Sequence, residues 1–198
     1  MTGQLIVPAL GGQVDSRAVP DRRLELARIF ADEDAFQLWY EVAARRLYAY
    51  LFGRCGGDPS LAEELTQQAF LQAVRHRDAY DGRSDPITWL IAIGRNRLID
   101  HLRREEREER RHLRLIVREI SAPHSIGNMR SHDERADILA VLGRLPAGQR
   151  AALILHHVDD LSVREVASAL HRTEGAVEAL LSRGRARFRE IYEEAERG

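Results

Sequence analysis

One predicted helix constrains the fold of this chain more than any other segment. Asp85 can accept a hydrogen bond from an unpaired N–H of the first turn, and Pro86, which has no N–H to lose, favours the first helical position. From there to Arg104, apolar residues recur at helical spacing and form one stripe that must be buried: Ile87, Leu90, Ile91, Gly94, Leu98 and Leu102. The segment therefore predicts a helix with one face in a core.

The opposite face of this helix carries chemistry suited to unpaired bases. It presents Trp89, Asn96, Asp100 and Arg103. An indole ring can stack on a base, an amide can read a base edge, and a guanidinium can hold phosphate. The alternative is that a neighbouring helix covers Trp89, in which case the ring belongs to the core.

Composition excludes several other classes of protein. The chain has 198 residues, of which 44% are hydrophobic, so it can bury one ordinary core or two small ones. The longest apolar runs are too short to span a bilayer, and the N-terminus lacks the layout of a signal peptide, so we expect a cytoplasmic protein. The single cysteine, Cys55, excludes an internal disulfide, and the eight histidines have no metal-ligand spacing. We expect no metal and no cofactor.

The chain contains no lysine, and all 30 residues counted as lysine or arginine are arginines. A GxxxxGK[ST] phosphate loop and Schiff-base chemistry both require lysine, and the GxGxxG and GxSxG motifs are also absent. We therefore do not expect an enzyme.

The pattern along the chain predicts an all-α fold of two small helical domains joined by a flexible linker. No convincing alternation of period two occurs, and residues 1–20 are predicted to be mobile. The first domain covers residues 21–112 and includes a helix that we expect to open with a capping box of Ser60 and Glu63. Residues 113–133 form the linker, although the first part of the highly charged stretch that runs into it, REEREERRHLR, can also extend the preceding helix. The second domain covers residues 134–198.

The second domain ends in a predicted helix-turn-helix. Ser162 and Glu165 form a capping box, and Val163, Val166, Ala167 and Leu170 give a short amphipathic helix. After a tight turn, the second helix buries apolar residues and carries arginines along its second half. Two helices at this spacing are typical of a unit that sets its second helix in a DNA major groove. The alternative is a plain pair of packed helices.

Three blocks of this sequence together resemble the bacterial extracytoplasmic-function sigma factors. They are AEELTQQAFLQAVR, YDGRSDPITWLIAIGRNRLIDHLRR and LPAGQRAALILHHVDDLSVREVASALHRTEGAVEALLSRGRARFRE, in the family's order. The resemblance implies a subunit that binds core RNA polymerase, directs it to a promoter and helps to open the DNA. An anti-sigma factor or another regulatory protein is a further implied partner.

The resemblance also implies three groups of site residues. The first domain would bind the single-stranded minus-ten element through Tyr80, Arg83, Ser84, Trp89, Asn96, Asp100, Arg103 and Arg104. The second would bind the minus-thirty-five element through Arg172, Thr173, Glu174, Glu178, Ala179, Ser182, Arg183, Arg185 and Arg189. Core polymerase would contact Glu63, Glu64, Gln67, Gln68, Leu71 and Arg75. An intramolecular contact of Leu71 is the alternative there.

Two further interpretations remain. The net charge of −1 is unusual for a free-standing DNA-binding protein, but a sigma factor relies on polymerase for most non-specific affinity. The chain could instead be an independent helix-turn-helix regulator of transcription, or a helical adaptor that binds only protein.

Glu178 departs from the basic or hydroxyl residues common at this place in the family, which implies weak or unusual minus-thirty-five recognition.

Overall fold

The computed structural model describes residues 21–116 and 134–197, and within these ranges the chain is helical without a strand. The predicted mobile segment 1–20 lies outside the described residues, as do residues 117–133 of the predicted linker. No helix in these ranges has both the length and the apolar character needed to cross a membrane. The helices are α1 (Arg22–Ala31), α2 (Glu33–Phe52), α3 (Pro59–Arg75), α4 (Pro86–Ile116), α5 (Glu134–Gly143), α6 (Ala147–Leu153), α7 (Val163–Leu170) and α8 (Glu174–Arg197).

The first domain packs α1, α2 and α3 around the first half of α4. The predicted apolar stripe of α4 faces this core: Leu90 and Leu98 are fully buried, and Leu102 nearly so. Gly94 lets α2 approach closely, because a Cβ at this position would lie 2.5 Å from Leu47 Cδ1. The stripe is thus the surface on which the rest of the domain assembles.

The starts of α3 and α4 are set by aspartates. Asp85 Oδ1 accepts hydrogen bonds from the N–H groups of Ile87 and Thr88 at 2.8 and 3.0 Å, which confirms the predicted start of α4. The capping box predicted for Ser60 and Glu63 is wrong. Asp58 caps α3 instead, accepting from two N–H groups of the first turn at 2.9 and 3.1 Å, with Pro59 in the first turn. An aspartate followed by proline is a stronger start signal than the serine two residues later.

The second domain contains α5 to α8. The segment Ala151–Leu155, predicted to be buried, lies in its core. At Ile154–Val158 the chain widens into one π-helical turn, in which the Asp159 N–H donates to the Ile154 carbonyl at 3.0 Å. No pattern in the sequence indicated this turn.

Helices α7 and α8 form the predicted helix-turn-helix. The capping box of Ser162 and Glu165 is present in both directions, and the hydroxyl of Ser162 lowers the pKa of the Glu165 carboxyl. His171 ends α7 in the left-handed conformation with φ of 53°. The tight turn between the two helices is therefore confirmed.

The two domains also pack against each other. Helix α4 extends to Ile116, so the charged stretch continues the helix, and its second half contacts α6 and α7. Nothing in the sequence pattern indicated this contact. The polar side chains that pair across it, such as Glu106 and Arg172, are far apart in the chain.

Candidate nucleic-acid interface

The first candidate DNA-binding surface begins with two aromatic rings. Trp89 is half-buried at the start of α4, with its ring centroid 5.2 Å from that of Tyr80. Tyr80 itself is only 5% exposed, and its hydroxyl donates a hydrogen bond to the Ser84 carbonyl. Of the two rings, therefore, Trp89 reaches solvent, and the buried Tyr80 ring packs against it on the side of the core.

The loop before α4 is held by arginines that the sequence interpretation missed. Arg23 Nε donates to the Asp81 carbonyl at 2.9 Å, and Arg22 Nη1 donates to the Arg83 carbonyl at 3.2 Å. Gly82 has φ of +74°, and a Cβ there would lie 2.9 Å from Arg23 Cγ. Helix α1 thus fixes the loop that presents Arg83 and Ser84. Arg22 and Arg23 contact residues about 60 positions further along the chain, and the periodicity of the sequence does not indicate such contacts.

The remaining polar residues of this face differ in accessibility. Asn96 and Arg104 are exposed, whereas Asp100 and Arg103 are half-buried. Arg103 Nη1 contacts Asp100 Oδ1 at 3.2 Å, and its Nη2 donates to the carbonyl of Ala169 in α7. Arg103 is therefore engaged with the second domain, although the sequence predicts that it contacts DNA.

The second candidate surface is the helix-turn-helix. Thr173 Oγ1 accepts from the Ala176 N–H at 3.2 Å and caps the start of α8. Arg172 is half-buried, with its guanidinium 2.7 Å from Glu106 Oε1 on α4. The other predicted residues of this surface are all exposed: Thr173, Glu174, Glu178, Ala179, Ser182, Arg183, Arg185 and Arg189.

The predicted polymerase-contact surface lies along α3. Leu71 is 58% exposed, so no intramolecular partner covers it within the part of the chain that is described. Val74, one turn further along, is 38% exposed and adds apolar area that the sequence interpretation missed. Gln68 Nε2 donates to Glu64 Oε1 at 2.8 Å. The exposed predicted residues are Glu63, Glu64, Gln67, Leu71 and Arg75, while Gln68 is half-buried.

The described residues were also compared with the requirements of a metal site and of a reactive thiol. Across residues 21–116 and 134–197, no group of three or more His, Cys, Asp or Glu side chains could hold a metal ion. Cys55 is buried, and burial raises the pKa of its thiol to about 12, which makes it a poor nucleophile.

Comparison with known protein families matches both domains. Residues 39–108 match the model of sigma-70 region 2, and residues 135–188 match that of sigma-70 region 4. The first match covers the core of the first domain and the candidate minus-ten face. The second covers α5 to α7 and most of α8.

Individual relatives align with most of the chain. The chain is 30% identical over 142 residues to the ECF RNA polymerase sigma factor SigK of Mycolicibacterium vanbaalenii, covering 70% of this chain and 72% of the relative. It is 29% identical over 165 residues to SigX, another such factor, of Bacillus subtilis, covering 77% and 80%. A solved structure of the sigma factor RpoE in complex with the anti-sigma factor NepR, from Bartonella quintana, is 22% identical with a TM-score of 0.48, covering 80% of this chain and 96% of that one.

Proposed function

The chain belongs to the extracytoplasmic-function (ECF) RNA polymerase sigma factors, and from this premise we propose that it binds core RNA polymerase, directs it to specific promoters and assists promoter opening. The observation that carries the proposal is the presence of two separate candidate DNA surfaces, one in each matched region. Such a protein acts in the cytoplasm, where polymerase is, and performs no catalysis itself. A regulatory protein of the anti-sigma kind is a further proposed partner.

We assign promoter opening to the first domain. Trp89 stands half-exposed beside a loop that Arg22 and Arg23 hold in place, and Asn96 is exposed about two turns further along the same helix. A base that leaves the stack could rest on the indole, while Arg83 and Arg104 lie at the surface to meet the backbone. Tyr80 supports the indole in this assignment, since its own hydroxyl already bonds within the loop.

We assign minus-thirty-five recognition to α8 and polymerase contact to α3. The start of α8 is exposed, as a recognition helix must be to enter a groove. On α3, Leu71 and Val74 lie among charged and amide side chains, which is the composition of an apolar contact with a polar rim.

A gel-shift experiment with and without core polymerase tests the proposal. With a net charge of −1, the purified chain should bind duplex promoter DNA poorly at physiological salt and specifically only when core polymerase is present. The independent regulator requires tight specific binding by the chain alone. The adaptor requires no promoter binding under either condition. Either of those results would refute the proposed function.

Replacing Glu178 with arginine is expected to tighten binding of the holoenzyme to all minus-thirty-five sequences if the glutamate merely repels phosphate. If the glutamate accepts a hydrogen bond from a cytosine amino group, preference should instead shift at one position by about 1–3 kcal/mol. Binding to a promoter library distinguishes the two. Glu196→Arg is the matched control, because it changes the same charge about 27 Å along the same helix. If the two variants behave alike, α8 does not enter the groove near Glu178.

A further inference from the structure

We infer that a cavity between α4 and α7 binds a small anion with phosphate groups joined in series, held by the guanidinium groups of Arg95, Arg97 and Arg103. The inference goes beyond the proposed function and does not depend on it, because it concerns a site for a small molecule. It rests on the size of the cavity, the charges of its walls and the unpaired donors among them.

The cavity is large enough for a small molecule and has polar walls. Its volume is about 590 Å³, and sites for small molecules commonly measure about 300–1,000 Å³. The middle of α4 forms one wall, and the facing wall includes Glu165, Ser168 and Ala169 of α7. None of the described residues that line it is aromatic, so it offers no ring on which a base could stack. The cavity therefore suits a ligand that is recognised by charge and hydrogen bonds.

The walls carry more positive than negative charge. Three arginines line the cavity, against two carboxylates, those of Asp100 and Glu165. Both carboxylates already have partners. Asp100 Oδ1 lies 3.2 Å from Arg103 Nη1, and Glu165 Oε2 accepts from the N–H and the hydroxyl of Ser162 at 2.9 and 2.7 Å. The walls therefore leave positive charge for a ligand to neutralise.

Arg95 and Arg97 differ from other arginines at the boundary between the domains. Those others have carboxylate partners across it: Arg54 with Asp159 at 2.6 Å, Arg150 with Glu105, and Arg172 with Glu106 at 2.7 Å. Arg95 and Arg97 are half-buried too, yet their side chains form no hydrogen bond and no ion pair within residues 21–116 and 134–197. An anion in the cavity would supply the partner that these two guanidinium groups lack.

Two donors of the lining arginines are buried without an acceptor. Arg97 Nε and Arg103 Nε are shielded from solvent, and no atom of the described residues accepts a hydrogen bond from either. Buried polar groups in native proteins are normally satisfied by protein, water or ligand, because an unsatisfied donor costs stability. Phosphate oxygens form short, charge-assisted hydrogen bonds with guanidinium groups. A phosphorylated ligand would therefore satisfy donors that the protein leaves open.

The spacing of the arginines favours more than one phosphate group. Arg95 and Arg103 are eight residues apart in the sequence, which corresponds to about 12 Å along the axis of α4. Two phosphates in series extend further towards both guanidinium groups than a single phosphate does. The exposed hydroxyl of Ser168 adds a donor from the facing wall.

Isothermal titration of the full chain with sodium pyrophosphate tests the inference, with orthophosphate compared at the same ionic strength. We expect one site per chain and at least about tenfold tighter binding of pyrophosphate than of orthophosphate, because more charge-assisted hydrogen bonds form. Arg95→Gln combined with Arg97→Gln should weaken pyrophosphate binding at least about 30-fold. Neither residue is assigned to promoter DNA.

The matched control is Arg107→Gln combined with Arg111→Gln. It removes the same two charges from exposed positions of the same helix outside the cavity. Because solvent and salt screen distant exposed charges, the control should weaken pyrophosphate binding less than about threefold.

Substitutions at Ser168 test the facing wall without removing an arginine. Ser168→Glu should bind pyrophosphate at least about fivefold more weakly than Ser168→Gln, because the two side chains are similar in size and only the carboxylate repels an anion. Ser168 is exposed, and glutamate and glutamine both favour a helix more than serine does, so α7 should still form. Circular dichroism checks the helicity of every variant. If the Arg95 and Arg97 variant loses helicity, the comparison at Ser168 decides.

Three results would overturn the inference. If the wild type binds no pyrophosphate, or if the two Ser168 variants bind it equally, the cavity is not an anion site. If the control loses as much affinity as the Arg95 and Arg97 variant, the anion is attracted only by general positive charge. If single-stranded oligothymidine binds more tightly than pyrophosphate and depends equally on Arg95 and Arg97, these arginines serve a nucleic-acid strand. Polymerase is absent from every titration, so failure of the proposed function would not affect these results.

Discussion

Replacing Asp159 with asparagine is expected to weaken the contact between the two domains by about 3 kcal/mol. The substitution leaves the Arg54 guanidinium largely buried without its counter-charge, and breaking one side of a buried ion pair costs about 3–5 kcal/mol. The loss should fall on the interface and not on either core, because Arg54 and Asp159 belong to different domains. We therefore expect the thermal unfolding of the chain to separate into two transitions where the wild type has one.

Calorimetry of the full chain is the measurement, with Asp160→Asn as control. The control removes the same charge from the neighbouring, exposed residue, and asparagine tolerates the positive φ of 53° found there. Arg54→Met combined with Asp159→Asn should recover part of the loss, because no uncompensated charge then remains. Equal effects of the two single aspartate variants would contradict the interdomain role of Asp159.

Replacing Trp89 with alanine is expected to lower open-complex formation about 5- to 150-fold while leaving polymerase binding unchanged. The range corresponds to the stacking of one base on an aromatic ring, about 1–3 kcal/mol. Trp89 is half-buried, so the chain should still fold without it. Asn96→Ala should act in the same direction, because the exposed amide lies on the same face of α4. Permanganate footprinting of the melted promoter, at a fixed concentration of holoenzyme, gives the readout.

The other tryptophan provides a matched control for Trp89. Trp39 is 9% exposed, and its ring lies within 6 Å of three phenylalanine rings, those of Phe30, Phe36 and Phe70. Trp39→Ala should therefore cost about 3–5 kcal/mol of stability, as truncation of a core aromatic does. If Trp89→Ala loses as much stability as Trp39→Ala, or if it no longer binds polymerase, the indole of Trp89 is part of the core and does not contact bases.

Local signals made most of the helix boundaries and turns predictable. Asp85 and Pro86 begin α4, and Ser162 with Glu165 begins α7, because a cap depends only on residues within one turn. The buried stripe of α4 follows from its period alone. The error at Ser60 also has a local cause, since two start signals two residues apart compete and the Asp58–Pro59 pair is the stronger.

The contacts between the domains were not predictable in this way. Arg54 and Asp159 are 105 residues apart in the chain, and Glu106 and Arg172 are 66 apart. Each is an ordinary surface charge in its own sequence context, and only the packing of the two domains against each other gives it a partner. For the same reason the sequence could assign Arg103 and Arg172 to DNA but could not indicate that both are engaged within the chain.

The π turn at Ile154–Val158 makes the ion pair between Arg54 and Asp159 sensitive to the number of residues in this segment. A π turn accommodates one residue more than an α turn, and each residue of a helix rotates the chain by about 100°. Deleting one residue here would return the segment to an ordinary helix and swing Asp159 away from Arg54. The pairing of a carboxylate at this position with a basic residue in the turn after α2 is therefore expected only in homologues that keep the insertion.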